Sequence, residues 1–286
     1  MNKPCIIITG ANGFIGEHLV DHFFAKGWKV KAFVHSTPKH KLDGVDYVLY
    51  NMEEAPDETN FESVNYLVHC AYLRFGKSKR ADLINITGTK NLIECCRIKN
   101  IKFLFISSFS AHKDAESHYG KTKLECETLF DVSKDIVLKS GFVIGKRGLG
   151  SELINAIKKA SFFPLVGGKQ PIQTIYIDDL SLIIETALEK NVSGLFHVAE
   201  SEAVTMKQFY QEIAKQLNKK IRFIPFPAPL LFFICRVSEA IGLKLPVSSE
   251  SVLGLKHLIK FDTKDDLNKL GISLKNYSES IQQVIK

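Results

Sequence analysis

The feature that most constrains this chain is a short apolar run that leads directly into a turn rich in glycine. Cys5–Thr9 reads as a buried β-strand, and Gly10, Gly13 and Gly16 follow it at the start of a helical pattern. In such a turn Gly10 and Gly13 let the backbone bend and approach a pyrophosphate, and Gly16 lets the new helix pack against the strand. The amide groups at the helix N-terminus then point at the phosphates. The strand, turn and helix therefore predict a dinucleotide-binding βα unit.

Strand-like and helix-like patterns alternate through the first half of the chain. The further predicted strands are Lys29–Val34, Asp46–Leu49, Tyr66–His69, residues 103–107 and residues 136–138. Residues 83–99 carry apolar side chains at near-helical spacing and predict a helix. This alternation predicts an α/β fold, a doubly wound parallel sheet of the Rossmann type.

Glycine and proline become frequent after Gly145, where strands no longer alternate regularly with helices. We therefore predict a dinucleotide-binding domain over residues 1–145 and a smaller substrate lobe over residues 146–286. Segments at about residues 172–200, including a strand at 193–198, are expected to return to the main sheet. Thr205 and Gln208 have capping-box spacing and predict a helix that runs to about Leu217.

Composition fits a globular protein, with 286 residues, 45% hydrophobic and 24% charged. The formal charge of +7 comes from cations scattered among acids, which favours a phosphorylated small-molecule substrate over nucleic acid. Six cysteines without C-x-x-C spacing predict free thiols and no metal site. With no leader-like segment at the N-terminus, a cytoplasmic monomer or homodimer is expected.

The longest apolar stretch covers residues 223–235 and contains three prolines. It is too short to cross a bilayer, so no transmembrane segment is predicted. Three interpretations stay open: plain core, the wall of a pocket for an apolar substrate, or peripheral contact with a membrane surface.

A second constellation carries hydroxyl and ammonium groups. Ser107 and Ser108 end a predicted strand, and Tyr119 and Lys123 are spaced so that they share one helical face. An ammonium group near a phenol favours the phenolate, which suits Tyr119 to proton transfer. At the carboxyl end of a parallel strand, Ser108 can hydrogen-bond a reacting oxygen. We predict Ser108, Tyr119 and Lys123 as catalytic residues.

Taken in order, these motifs resemble the extended short-chain dehydrogenase/reductase family, which contains nucleotide-sugar epimerases, dehydratases and 3β-hydroxysteroid dehydrogenase-like enzymes. The matches are residues 9–16 (T-G-x-x-G-F-I-G), 69–71 (H-x-A), 85–89 (N-x-x-G-T), 107–108 (S-S), 119–123 (Y-x-x-x-K) and 176–180 (Y-V-D-D-L). The resemblance covers most of the chain and implies a nicotinamide enzyme. In it Tyr119 is the acid/base, Lys123 tunes Tyr119 and binds ribose, and Ser108 donates to the substrate oxygen.

The resemblance also implies further cofactor contacts. Asn51 and Met52 stand where the family usually has an Asp-Leu pair beside the adenine, and Lys139-Ser140 replaces its Arg-Pro before the segment beside the nicotinamide. The predicted cofactor-binding residues are Gly10, Asn12, Gly13, Phe14, Ile15, Gly16, His35, Ser36, Lys39, Asn51, Met52, Cys70, Ala71, Tyr72, Asn85, Lys123, Gly141, Phe142 and Val143.

The end of the second strand bears on the choice between NADP and NAD. An NAD enzyme tends to place an acidic residue about twenty positions after the last loop glycine. Here His35, Ser36, Thr37 and Lys39 follow the strand, and their side chains can donate to a 2′-phosphate. NADP is therefore favoured, the alternative being NAD bound without an acidic partner.

Three functions stay open. The leading one is an NAD(P)-dependent oxidoreductase or epimerase/dehydratase that acts on a secondary alcohol or ketone, most often a nucleotide-activated sugar in this family. The second is a reductase or dehydrogenase of a hydrophobic, steroid-like alcohol or ketone, since residues 170–174 lack the arginine typical of nucleotide-sugar members. Two interpretations of Arg222 and Arg236 stay open, that they reach a diphosphate from elsewhere in the chain or that they are ordinary surface arginines. The third, a non-catalytic NAD(P)-binding module, is disfavoured by Ser108, Tyr119 and Lys123.

Overall fold

The computed structural model describes residues 3–38, 40–74, 80–243, 245 and 247–286. The helices are α1 Phe14–Ala25, α2 Ala81–Ile98, α3 His118–Glu127, α4 Gly148–Lys159, α5 Ile177–Glu189, α6 Met206–Gln216, α7 Ala228–Ala240, α8 Ser249–Lys256, α9 Lys264–Leu270 and α10 Tyr277–Ile285. The strands are β1 Cys5–Thr9, β2 Lys29–Val34, β3 Asp46–Leu49, β4 Tyr66–His69, β5 Lys102–Ser108, β6 Ile136–Ser140, β7 Phe142–Ile144, β8 Phe162–Leu165, β9 Pro171–Ile172, β10 Thr174–Tyr176, β11 Gly194–Val198, β12 Val204–Thr205 and β13 Arg222–Pro225.

The central sheet has seven strands in the order β11-β6-β5-β4-β1-β2-β3. Strand β1 pairs in parallel with both β2 and β4, so the chain moves outward to β3 and then returns to the other side of β1. Ligands bind beyond the carboxyl ends of the strands at such a reversal. There the last residue of β1, Thr9, pairs with His69 at the end of β4. The predicted doubly wound parallel sheet is confirmed.

The sheet forms because its inner strands are apolar along their whole length. All five residues of β1 are buried, as is expected of a parallel strand covered on both faces. Aromatic side chains fill one of the layers against the sheet: the rings of Phe105 and Phe130 stack at 4.9 Å, and the ring of Phe33 meets that of Phe61 edge-on. Such rings bury a large apolar area each and stabilise this core.

Most element boundaries agree with the sequence patterns within two residues. The strand predicted at 103–107 is β5, the helix predicted at 83–99 is α2, and the strand predicted at 193–198 is β11 at the edge of the main sheet. Thr205 caps α6 as predicted, since its hydroxyl accepts from the backbone N–H of Gln208 and the Gln208 side chain accepts from the N–H of Thr205. These signals are local, which is why the sequence reveals them.

Internal contacts divide the chain into two compact units. The first unit comprises residues 1–107, 122–139 and 181–196, and the second comprises residues 108–121, 140–180 and 197–286. The chain passes between the units several times, and α3 starts in the second unit and ends in the first. The domain boundary at residue 145 and the returning segment at 172–200 stay predictions.

The second unit has its own apolar core and three two-stranded sheets, β10-β7, β12-β9 and β13-β8. The core includes Ile144 at the end of β7, Ile157 of α4 and Phe209 of α6. A buried carboxylate, Glu200, accepts from the N–H and hydroxyl of Thr174 at 3.0 and 2.9 Å and from the N–H of Tyr277 at 2.8 Å. Glu200 thereby joins β10 to the start of α10.

None of the described helices is long and apolar enough to span a bilayer. None of the six cysteines, all of which lie in the described part of the chain, forms a disulfide bond.

Candidate cofactor and catalytic site

The glycine turn after β1 uses its three glycines in two different ways. Gly10 has φ +67°, and a Cβ there would lie 2.7 Å from the backbone nitrogen of Ala71. A Cβ on Gly16 would overlap the carbonyl oxygen of Gly10. Gly13, by contrast, is exposed, and a Cβ there would meet only the Gly10 oxygen at 3.1 Å. Gly10 and Gly16 are therefore needed by the turn itself, whereas Gly13 opens toward solvent.

The first turn of α1 offers backbone donors in front of this turn. Gly13 is the N-cap in an extended conformation, and no side chain of the described residues caps the helix. The first amide groups of a helix lack partners within it, so those of Phe14 and Ile15 are available to an anion. This uncapped helix start and the open Gly13 fit the pyrophosphate of a dinucleotide.

Asn12 connects the glycine turn to the loop that follows β2. Its Nδ2 donates to the carbonyl oxygen of Ser36 at 3.0 Å, and its Oδ1 accepts from the backbone N–H of His35 at 3.0 Å. The side chains of His35 and Ser36 are exposed. Asn12 therefore fixes the backbone of the loop that is predicted to distinguish NADP from NAD. Lys39, predicted in the same loop, lies outside the described residues.

The loop after β4 closes the other side of the glycine turn. The hydroxyl of Thr9 accepts from the backbone N–H groups of Cys70 and Ala71 at 3.2 and 3.3 Å. These bonds hold Ala71 against Gly10. Burial raises the pKa of the Cys70 thiol to about 12, so it remains protonated and contributes no thiolate chemistry.

A buried chain of hydrogen bonds runs behind that loop. Because Thr9 accepts two N–H groups, its own hydroxyl proton points to Nδ1 of His69, 2.6 Å away. Nε2 of His69 lies 3.1 Å from the hydroxyl of Thr89, which donates to the carbonyl oxygen of Asn85 at 2.7 Å. Burial, and then the positive charge of Lys123, lower the pKa of His69 to about 3. His69 is therefore neutral, with its proton on Nε2.

Asn85 of α2 holds the same loop from the helix side. Its Oδ1 accepts from the N–H of Leu73 at 2.8 Å, and its Nδ2 donates to the carbonyl oxygens of Leu73 and Ala81 at 2.9 Å each. Both amide protons and one oxygen lone pair are thus used inside the protein. The arrangement indicates that Asn85 positions the loop, and direct contact with a cofactor stays a prediction.

Lys123 is a buried cation, only 4% exposed. Its Nζ donates to the carbonyl oxygen of Ile106 at 2.7 Å and lies 4.4 Å from the ring centre of Phe105 and 5.6 Å from that of Tyr72. Burial lowers the pKa of Lys123 to about 8. One hydrogen bond and two aromatic rings therefore hold an ammonium group that loses its proton more easily than an exposed lysine does.

The C-terminal end of α3 is fixed by a buried ion pair. Nζ of Lys139 lies 3.0 Å from Oε2 of Glu127, and both side chains are more than nine-tenths buried. The hydroxyl of Ser107 donates to the other oxygen of the same carboxylate. Lys139, which replaces the arginine usual in the resembling family, therefore anchors the helix that carries Lys123.

Ser108 and Tyr119 belong to the second unit, where a glycine brings their segments together. Oγ of Ser108 accepts from the N–H of Ser110 at 3.1 Å. A Cβ on Gly120 would collide with the carbonyl oxygen of Ser110 and lie 2.9 Å from Cβ of Ala115. Gly120 thus lets the first turn of α3, with half-buried Tyr119, pack closely against the turn that follows Ser108.

Asn51 and Met52 follow β3 in a tight turn. Oδ1 of Asn51 accepts from the N–H of Glu53 at 3.2 Å, and the Asn51 carbonyl accepts from the N–H of Glu54 at 3.1 Å. A Cβ on Gly88 would lie 2.9 Å from both Cβ and the carbonyl oxygen of Met52. Gly88 therefore allows α2 to approach this turn, and the predicted adenine contacts of Asn51 and Met52 stay predictions.

The backbone N–H groups of Gly141 and Phe142, in the segment predicted to lie beside the nicotinamide, make hydrogen bonds within the second unit. The N–H of Gly141 donates to the carbonyl oxygen of Val198 at 3.0 Å, and that of Phe142 donates to Gln173 at 2.9 Å. Val143 pairs with Ile175 in the short parallel sheet of β7 and β10. These amides form structure, so any contact with a cofactor would come from other atoms of the segment.

Several residues that position the site were not predicted from the sequence as functional residues. They are Thr9, His69, Thr89, Gly120 and Glu127, all of which position other groups. His69 and Thr89 lie in the motifs 69–71 and 85–89, and Thr9 and Gly120 lie in the motifs 9–16 and 119–123, so these motifs are a sequence signal for four of the five residues. Glu127 lies outside them. Within the described residues, no group of three or more His, Cys, Asp or Glu side chains could hold a metal ion.

Comparisons with known proteins agree with this geometry. Residues 6–137, which run from β1 into β6, match the model of the NAD dependent epimerase/dehydratase family. The chain is 23% identical to the sterol-4-alpha-carboxylate 3-dehydrogenase, decarboxylating, of Dictyostelium discoideum, over 98% of this chain and 99% of that protein. It is 24% identical to the UDP-glucose 4-epimerase of Vibrio cholerae, over 78% of each protein.

A solved structure supports the fold over the full length. The dTDP-4-dehydrorhamnose reductase of Bacillus anthracis, solved in complex with NADP, superposes with a TM-score of 0.72 at 17% identity and covers 99% of both chains. The match to the family model, residues 6–137, includes the glycine turn, the loop after β4 and Lys123. All three lie in the first unit. Over residues 6–137, somewhat less than half of its length, the chain is similar to the NAD dependent epimerase/dehydratase family.

Proposed function

We propose that this protein is an NAD(P)-dependent enzyme that acts on a secondary alcohol or ketone. The observation that supports this most is the position of the loop that follows β4. Ala71 of that loop contacts Gly10 in the phosphate-binding turn, and Tyr72 lies over the buried ammonium group of Lys123. One short loop therefore links the predicted pyrophosphate position to a cation suited to proton transfer.

The chain's own residues divide the chemical work. The phenol of Tyr119 holds or accepts the proton of the reacting hydroxyl, and the ammonium group one helical turn later favours the phenolate. Ser108 donates to the reacting oxygen from its hydroxyl. Bound NAD(P) supplies hydride exchange with the substrate carbon. The neutral His69 adds no charge beside Lys123, which preserves the ammonium as the local cation.

For the substrate we propose a nucleotide-activated sugar. Proteins to which this chain is similar include the UDP-glucose 4-epimerase and the dTDP-4-dehydrorhamnose reductase named above. The alternative is a hydrophobic, steroid-like alcohol or ketone, supported by the sterol dehydrogenase relative that matches over nearly the whole chain. Gln173 lies in the segment that lacks an arginine. Its side-chain amide donates to the carbonyl oxygens of Glu200 and Phe261 and accepts from the N–H of Phe261. This neutral side chain therefore offers no positive charge to a diphosphate.

A substrate panel distinguishes these functions. The purified protein is incubated with NAD or NADP and with UDP-glucose, UDP-N-acetylglucosamine or a 3β-hydroxysterol. Sugar conversion followed by NMR, or a change in nicotinamide absorbance, identifies the substrate class, and Tyr119→Phe serves as the inactive control. Conversion of the sterol alone would support the alternative. Cofactor binding without any conversion, together with unchanged behaviour of Tyr119→Phe, would favour a non-catalytic binding module.

We further propose NADP as the preferred cofactor, a cytoplasmic location and a monomer or homodimer. Exposed His35 and Ser36 on the loop fixed by Asn12 support the preference for NADP, because donors there can meet a 2′-phosphate. Sedimentation of the purified protein measures the assembly, and fractionation of the source cells measures the location.

A further inference from the structure

Helix α7 of the second unit exposes a stripe of large apolar side chains, while Leu231 and Phe232 of the same helix are half-buried. Leu230, Phe233, Ile234, Val237 and Ile241, which we call the α7 face, are all exposed, with Phe233 at 65% and Ile241 at 66%. Their spacing places them on one stripe of the helix and its C-cap. The buried side chains of α7 are the small Cys235 and Ser238.

Contacts on the inner side of α7 fix this orientation. The thiol of Cys235 donates to the carbonyl oxygen of Val247 at 3.3 Å. The carboxylate of Glu239 accepts from the N–H and the hydroxyl of Ser249 at 2.7 Å each. The helix is therefore held by polar contacts to the start of α8, and the α7 face is left outside.

Cations line a groove beside β13, the strand that precedes α7 in the chain. A groove of about 890 Å³ lies beside β13 and is lined by Lys215, Lys219, Lys220 and Arg222 together with apolar Phe162 and Ile224. Phe162 is 66% exposed. Residues 219–245 contain five lysines or arginines and one acidic residue, Glu239, whose carboxylate is already hydrogen-bonded. This segment alone carries most of the formal net charge of the chain.

We propose that the α7 face and the basic groove form a docking surface for an anionic membrane. An apolar stripe flanked by lysine and arginine is the chemistry that inserts at the boundary between headgroups and acyl chains. Each cation near an anionic surface strengthens binding by about fivefold. The occupant is a lipid surface rather than a second copy, because a two-fold contact would bring the same cations of two copies together.

The first test is flotation of the full chain with lipid vesicles. Vesicles of phosphatidylcholine are compared with vesicles in which phosphatidylglycerol replaces a third of that lipid. We expect the protein to float with the anionic vesicles and to be released by high salt. Absence from the anionic vesicles, or equal binding to the neutral ones, would overturn the proposal.

Two pairs of variants locate the surface. Phe233→Ser with Ile241→Ser should lower vesicle binding by about tenfold or more, because the inserted apolar area is lost. The matched control is Ile98→Ser in α2, where the isoleucine is 67% exposed. Lys220→Gln with Arg222→Gln should also weaken binding, whereas Lys29→Gln with Lys90→Gln should not.

Circular dichroism and light scattering accompany these measurements. The substituted side chains are exposed, so the variants are expected to fold. If the Phe233→Ser, Ile241→Ser variant and the Lys220→Gln, Arg222→Gln variant both bind vesicles as the wild type does, this surface does not contact the membrane and the proposal is overturned. A change from dimer to monomer in Phe233→Ser with Ile241→Ser, without vesicle binding by the wild type, would instead assign the α7 face to self-association and overturn the proposal.

Discussion

The ammonium group of Lys123 donates a 2.7 Å hydrogen bond to the carbonyl oxygen of Ile106, inside the first unit and almost out of contact with solvent. A charged group so buried destabilises the fold unless it is compensated. Here one carbonyl and the faces of Phe105 and Tyr72 provide the compensation. The proposed reaction gives a reason for keeping a cation here, because the Lys123 ammonium favours the phenolate of Tyr119.

Stability should therefore depend on pH through Lys123. Folding lowers its pKa from 10.5 to about 8, so the unfolded chain binds more protons between those values and the free energy of unfolding rises with pH across that window. The rise from this group is up to about 3 kcal/mol. Urea unfolding of the wild type and of Lys123→Met measures it, and the difference between them should change over this window. A difference that is constant with pH would contradict the prediction.

Replacing the phenol oxygen of Tyr119 should abolish turnover. Tyr119→Phe keeps the ring and its packing but removes the group that holds the proton, so cofactor affinity should stay nearly unchanged. Steady-state kinetics on the substrate found in the panel, with titration calorimetry for NAD(P), measure both effects. Wild-type turnover by the folded Phe variant would show that Tyr119 is not the acid/base.

The glycines of the turn should respond differently to substitution. Gly13→Val should weaken dinucleotide binding by about tenfold or more while the protein stays folded, because the new side chain occupies the open space before the helix N-terminus. Gly16→Ala is the contrasting variant, since its Cβ would overlap the Gly10 carbonyl and should destabilise the fold by about 1–3 kcal/mol. Calorimetric titration and thermal unfolding separate the two. Unchanged affinity in folded Gly13→Val would exclude Gly13 from the binding site.

The loop after β2 should set the cofactor preference. A charge-assisted hydrogen bond contributes about 1.5 to 3 kcal/mol, so one contact with the 2′-phosphate gives NADP roughly a tenfold advantage. His35→Asp should erase or reverse that advantage by placing a carboxylate on the loop that Asn12 holds. Dissociation constants of NADP and NAD are compared for both proteins. Equal binding of the two cofactors by the wild type would show that this loop does not distinguish them.

Much of the first unit could be predicted from local patterns. Apolar strands, the glycine turn and the alternation of elements identified the doubly wound sheet, and Thr205 with Gln208 identified the start of α6. Each signal depends on residues close together in the chain, where strand burial and capping are decided. The ordered motifs likewise indicated the family resemblance, and residues 6–137 match the model of the NAD dependent epimerase/dehydratase family.

Only the tertiary structure decided how those residues act. The sequence pattern assigns Gly13 to the approach of a pyrophosphate and Gly16 to helix packing. The tertiary structure identifies the group that Gly16 packs against, the Gly10 carbonyl, and leaves Gly13 exposed. Asn85 is a helix asparagine in the sequence, yet it holds Leu73 in the loop beside the turn.

The apolar stretch at 223–235 shows the same limit. Its composition allows core, pocket wall or membrane contact. In the structure Cys235 is buried and Phe223 packs against the core of the second unit, whereas Phe233 and Ile234 are exposed. The sequence by itself determined which elements form and which chemical groups they carry. The tertiary structure decided burial, charge state and exposure, because these depend on which distant segments pack against each residue.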